Sequence, residues 1–284
     1  MVKWLSLGFV FALAACAQEA PSDDAPAAVR LEQVWRVGGP ANPESVALSA
    51  DGTFLYVTNV NGEGEAQDGN GFISRVSLDG EVLQREFATG LDGPKGVMAG
   101  GDALYVADID QLVVLDAATG AIRRRVQAPG AQFLNDLAFA PDGQVLMADS
   151  ATQRIYAVRS DTAEIWLEHR LLESVNGLLA EPNRLIVTTM AGRLLSIDYQ
   201  SRAVTVLAEG LGDADGVAAL GDGRYLVSEW PGLMYVVNAA DGSHETVMDT
   251  RSENRFLNDF LLVGDTLYQP HWEPSELTAY RVVR

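Results

Sequence analysis

Six times along the chain, a polar residue heads a short apolar stretch, a tight turn follows, and a second apolar stretch rich in β-branched and aromatic residues returns. The six are Glu44-Ser-Val-Ala-Leu with Phe54-Leu-Tyr-Val-Thr-Asn59, Lys95-Gly-Val-Met with Ala103-Leu-Tyr-Val-Ala-Asp108, and Asn135-Asp-Leu-Ala-Phe with Val145-Leu-Met-Ala-Asp149. Asn176-Gly-Leu-Leu with Arg184-Leu-Ile-Val-Thr-Thr189, Asp215-Gly-Val-Ala with Arg224-Tyr-Leu-Val-Ser-Glu229, and Asn258-Asp-Phe-Leu with Thr266-Leu-Tyr-Gln-Pro270 complete the set. The polar heads are 51, 40, 41, 39 and 43 residues apart. The long first interval contains the glycine-rich polar insert Asn61-Gly-Glu-Gly-Glu-Ala-Gln-Asp-Gly-Asn-Gly71, which reads as a solvated loop carrying Glu63 and Glu65.

A second hairpin with an Asp-Gly or Thr-Gly turn follows the first, as in Ser74–Leu83, Val113–Ile122 and Met234–Gly242. Four strands per repeat of about 40 residues predict an all-β propeller. The last repeat runs out after three strands, while Leu31–Val37 precedes Glu44 in the phase of an outer strand. These positions predict a six-bladed β-propeller with four-stranded blades over 31–284, its last blade completed by the N-terminal strand. An eight-bladed quinoprotein-like ring, hinted at by Asp116-Ala-Ala-Thr-Gly120, is the alternative, but six repeats already use the chain.

Ahead of the repeats, Lys3 and the apolar run Trp4–Ala15 are too short to span a bilayer and suit a secretory leader over 1–15. Leu13-Ala14-Ala15-Cys16 resembles a bacterial lipobox, with Cys16 as the lipidated residue and 16–30 as a tether rich in Ala, Pro, Ser and Asp. Ala17 is not the Asp that marks inner-membrane retention, so the expected address is the periplasmic side of the outer membrane, reached through the lipid alone.

The 284 residues carry 39 acidic and 20 basic side chains, a net charge of −19, with no basic run. That balance excludes a nucleic-acid partner. Three His and one Cys argue against thiolate or imidazole metal chemistry, so any metal is expected on oxygen. Neither a Gly-x-Ser-x-Gly elbow nor a phosphate or dinucleotide loop appears.

In a propeller, residues at one phase of every repeat converge on the axis. Glu44, Lys95, Asn135, Asn176, Asp215 and Asn258 share that phase, and five of the six carry a side-chain oxygen. Two carboxylates with carboxamides suit a hard divalent cation, calcium first, with magnesium or manganese as competitors. The ends of the second strands return to the same rim, placing His271, Trp230 and Trp272 at the channel mouth as candidate acid–base or substrate-wall residues.

These anchors resemble those of the SMP-30/gluconolactonase/LRE-like family, relatives of calcium-dependent phosphotriesterase and paraoxonase propellers. The resemblance implies metal ligands at Glu44, Asn135, Asn176 and Asp215, with Asp215 also the proton acceptor in hydrolysis of a lactone or related ester. Phe133 stands where sugar-lactone members tend to carry an Arg. Lys95 either orients a substrate or pairs with the channel acids. The contrasting expectation is a non-catalytic periplasmic lipoprotein that binds a ligand or protein partner. Phosphotriesterase-like or strictosidine-synthase-like chemistry on the same scaffold is a further alternative.

Overall fold

The computed structural model describes Met1 and residues 28–284. The leader and the lipidation site at Cys16 lie outside the described residues. From Arg30 onward the chain forms six four-stranded antiparallel sheets, and its only helical turns among the described residues are Arg170–Leu172 and Arg251–Glu253. The fold is a six-bladed β-propeller.

The strand sequences follow from how blades pack. Second and third strands are covered on both faces by neighbouring blades, so Leu55–Asn59, Val145–Asp149 and Gln111–Leu115 are continuously buried rather than alternating. Outer strands such as Val82–Leu91 are largely exposed. Six apolar clusters fill the spaces between adjacent blades. Leu112, Val114 and Val126 of the second blade meet Leu137, Met147 and Tyr156 of the third. Val46, Leu55 and Val57 of the first meet Tyr268, Leu277 and Ala279 of the sixth.

Closure uses the two ends of the described chain. Arg30–Gly38 pairs antiparallel with Glu276–Val283, from Arg30 opposite Val283 to Gly38 opposite Glu276, and becomes the outer strand of the sixth blade. Trp35 extends the seam to the first blade, where its indole N–H donates to the Leu78 carbonyl at 2.8 Å. A Cβ at Gly80 would come within 2.8 Å of that indole, so the turn needs glycine for contact as well as for its φ of +87°.

At the axis the inner strands approach until side chains no longer fit between them. A Cβ on Gly177 would lie 2.3 Å from the Asp215 carbonyl oxygen, and one on Gly216 would lie 2.6 Å from Asp259 Oδ1. Gly177→Ala is therefore expected to force the fourth and fifth blades apart. The expected loss is about 2 kcal/mol, or roughly 4–8 °C in Tm. Differential scanning calorimetry against Gly143→Ala, a turn glycine with open space around it but φ +82°, separates packing from backbone strain.

Candidate functional site in the propeller channel

Each anchor sits on the same backbone irregularity. In the first blade Pro43 pairs with Asn59 and Val46 with Val57, so Glu44 and Ser45 together oppose Thr58. Lys95-Gly96 oppose Ala107, Asn135-Asp136 oppose Ala148, Asn176-Gly177 oppose Thr188, and Asp215-Gly216 oppose Ser228 in the same way. This is a β-bulge, in which an extra residue breaks the ladder and re-aims a side chain.

In the first five blades a small residue stands opposite, and in three of them its hydroxyl takes over the lost ladder bonds. Thr58 Oγ1 accepts from the Ser45 N–H at 2.8 Å, and Thr188 Oγ1 from the Gly177 N–H at 2.8 Å. Ser228 Oγ accepts from the Gly216 N–H and donates to the Asn258 carbonyl of the next blade, both at 2.8 Å. Thr188 likewise donates across to the Asp215 carbonyl. In the sixth blade Gln269 replaces the hydroxyl, its amide donating to the Asn258 carbonyl at 3.1 Å.

The bulges deliver Glu44, Lys95, Asn135, Asn176, Asp215 and Asn258 to one cavity of about 650 Å³, together with Trp230 and Trp272. Glu63, Gly64 and Glu65 of the insert, Phe133 and Met190 also line it. His271 is not among the lining residues. It is fully buried, its Nε2 lies 3.0 Å from Thr278 Oγ1, and burial pushes its pKa down to about 3, keeping the ring neutral. His169 caps the turn at Leu171, and His244 packs edge-on against Tyr235 on the exposed side of the fifth blade.

Rim residues at the ends of second strands act as staples. Asp108 accepts from the N–H groups of Asp92 and Gly93, and Asp149 from those of Gln132 and Phe133, so each holds the loop that leads into an anchor. Asn59 does the same for Ala41.

The anchor oxygens are differently placed. Glu44 Oε2, Asn176 Oδ1 and Asp215 Oδ1 are buried without a hydrogen-bond partner. Such atoms carry the full cost of desolvation, and three on one cavity fit the donor set of a hard cation. Asn135 donates its amide nitrogen to Ser150 Oγ at 3.3 Å and Asn258 to the Pro43 carbonyl at 2.7 Å, which leaves each amide oxygen to the other side. Among the described residues no three His, Cys, Asp or Glu cluster as metal ligands, so amides have to supply the remainder of any coordination shell.

Two acids that the repeat phase did not single out lie beneath the anchors. Asp136 accepts from the Leu178 N–H and Asp259 from Ser45 Oγ, both at 2.6 Å. Their signal was the Asn-Asp dipeptide at two of the six anchors. Burial raises the pKa of Glu44, Asp136 and Asp215 well above the carboxylate range, and repulsion from neighbouring buried acids, Asp259 among them in each case, adds to it. Burial puts Asp259 at about 6. Lys95 is lowered by burial, against the pull of Glu44. Its ammonium donates to the carbonyls of Gly64 at 2.7 Å and Gly93 at 3.1 Å and lies 4.1 Å from the centre of the Phe133 ring.

The model of the family described as outer membrane protein assembly factor BamB matches residues 32–208, the closing strand and the first four blades. The chain belongs to this family. No curated protein sequence matches it significantly. Among solved structures, a streptogramin B lyase superimposes with a TM-score of 0.63 at 11% identity, covering 90% of this chain and 98% of that one. A catalytically inactive histidine variant of virginiamycin B lyase from Staphylococcus aureus with quinupristin gives the same TM-score and identity over 90% and 100% of the two chains. The selenomethionine form of that lyase gives 0.60, at the same identity and coverage. At that identity the likeness is one of fold, and the SMP-30/gluconolactonase resemblance rests on the four channel residues. No helix among the described residues is long and apolar enough to cross a membrane.

The raised acids set the sign of a pH dependence. A carboxyl whose folded pKa is raised contributes stability in full below its unfolded value near 4, and loses it as pH rises through the folded value. His271, with a lowered pKa, works oppositely, losing stability as pH falls from 6.5 toward 3. Comparing wild type with Asp215→Asn cancels the histidine. In chelator, Asp215→Asn is expected to gain Tm relative to wild type as pH rises from 5 to 7.5, and calcium is expected to reverse that order at pH 7.5. Thermal melts over that range check both signs.

Proposed function

We propose that the channel holds a divalent cation, calcium first, and that the protein hydrolyses a lactone or related ester there, tethered through Cys16 on the periplasmic side of the outer membrane. The observation that carries this reading is the trio of buried, unpartnered oxygens on Glu44, Asn176 and Asp215, facing a cavity large enough for a small substrate. Glu44, Asn135, Asn176 and Asp215 would hold the cation. Bound there, it supplies Lewis acidity toward a substrate carbonyl.

The protein's own groups do the rest. Asp215 takes the proton of the attacking water through the carboxylate oxygen that the cation would leave free. Lys95 has two of its three N–H groups committed to backbone carbonyls, which fixes the ammonium and leaves one donor for the oxygen that gains charge. Trp230 and Trp272, 6.3 Å apart and nearly perpendicular, give the acyl group an apolar wall and exclude water. His271 is given no part in proton transfer, because it is buried and absent from the cavity lining.

Family membership favours a second reading, a non-catalytic propeller serving outer-membrane protein assembly with the cation as a structural plug. The two differ in what Asp215→Asn does. Under the hydrolase reading, the metal-loaded domain turns over at least one of an aldonolactone, an acyl lactone, an aryl ester or a phosphotriester. Chelation abolishes that turnover, and Asp215→Asn lowers kcat by about 100-fold or more. Terbium luminescence gives an independent readout of the site, with Glu44→Gln expected to weaken binding at least about tenfold. Terbium binding without turnover of any of the four classes supports the plug; turnover that survives both chelation and Asp215→Asn sinks the metal mechanism.

A further inference from the structure

The channel mouth has a chemical bias that the anchors do not explain. Four carboxylates, Glu44, Glu63, Glu65 and Asp215, line the cavity against one ammonium, Lys95. A divalent cation on Glu44 and Asp215 offsets those two and leaves Glu63 and Glu65, which belong to the insert that only the first repeat contains. Both are exposed on the loop, and the loop is fixed where it lies: Lys95 donates to the Gly64 carbonyl between them at 2.7 Å. At the base of the insert, Asn61 donates to the Asn70 carbonyl at 3.1 Å, and Gly69 donates to Asp92 at 3.0 Å.

Lys95 is itself largely committed, with one N–H left for the reacting oxygen. It is 3% exposed, holds two backbone carbonyls and stacks on Phe133. No arginine lines the cavity, and its other walls are the partly exposed rings of Trp230 and Trp272 and the thioether of Met190. Phe256 backs Trp230 with ring centres 4.9 Å apart, so that wall is fixed. Indole rings beside carboxylates, with the one lining ammonium committed to backbone carbonyls, form the environment that attracts an organic ammonium, through the ring quadrupole and direct charge attraction together.

We infer that the site selects ligands bearing a cationic, alkylated ammonium group, with Glu63 and Glu65 as the specificity-determining residues and Trp230 and Trp272 as the surface on which the ammonium rests. The insert is then a selectivity strap, and Lys95 is the positioning residue that holds it over the mouth. This rests on the proposed reading for the cation on the anchors and for the bond that reacts; the recognition stands without turnover.

The test uses the soluble domain, residues 28–284, in saturating calcium, with three non-hydrolysable probes of matched size: phenyltrimethylammonium, tert-butylbenzene and benzoate. Binding is read by quenching of tryptophan fluorescence and by calorimetry. The ammonium is expected to bind at least about tenfold more tightly than the neutral isostere, with benzoate weakest. The preference should shrink as salt rises from 20 to 500 mM, because Glu63 and Glu65 are exposed and screened. Glu63→Gln with Glu65→Gln should cut it at least about threefold while leaving terbium affinity unchanged.

Repeating the titration in chelator identifies an ammonium that merely occupies the anchors, since its affinity would then rise sharply and calcium would compete it away. That outcome, equal binding of ammonium and isostere, tighter binding of benzoate, or no binding of any probe overturns the inference. Because the probes carry no scissile ester and the strap variants spare the anchors, failure here leaves the hydrolase reading standing. Failure of turnover leaves this inference standing in turn. Should the double variant melt below wild type, the salt titration on wild type decides the question alone.

Discussion

Six sheets can share an axis only if their inner edges meet without leaving backbone groups unpaired, and this chain meets that demand with one repeated bulge. In three blades a hydroxyl from the second strand stands in where the ladder breaks, and in two of them it also reaches the next blade's carbonyl. The glycines after Lys95, Asn176 and Asp215 belong to the same solution, because backbone of the neighbouring strand occupies the space a side chain would need. The bulge that lets the ring close thus also turns six polar side chains inward. Fold and site have one geometric cause.

That arrangement concentrates charge where water is scarce. Burial and neighbouring acids raise the proton affinity of Glu44, Asp136 and Asp215, burial raises that of Asp259, and only Asp136 and Asp259 have donors to their carboxylates. The lower acids are therefore structural, binding neighbouring inner strands together, while the upper acids retain free oxygens. A protein that leaves such groups unpaired gives up stability at the site, as binding sites commonly do.

The fold was legible because the repeat is long, its turns are marked by glycine, and the missing outer strand at one end is present at the other. The anchors were legible for a related reason: phase in the sequence becomes position around the axis. Three features were not. His271 ends a second strand as Asp108 and Asp149 do, and like them it is fully buried, which leaves the next residue, Trp272, to the mouth. Asp136 and Asp259 stand one residue beyond the anchor phase, and only the bulge, which periodicity does not encode, brings both residues of the pair to the axis. The insert reads as a solvated loop by composition, yet Lys95 draws Gly64 over the cavity, a contact between residues 31 apart that neither segment announces.

The seam in the sixth blade bears on how the ring comes into being. Its outer strand is Arg30–Gly38 and the strand beside it is Glu276–Val283, so this pairing joins segments nearly the whole described chain apart. Such a pairing carries a large loop-closure cost until the intervening blades have condensed. During synthesis the five preceding blades can form in order, but the circle stays open until Val283 has emerged. Until then the first of the described strands waits with a bare edge, and what shields it in that interval decides whether the chain becomes a ring or an aggregate.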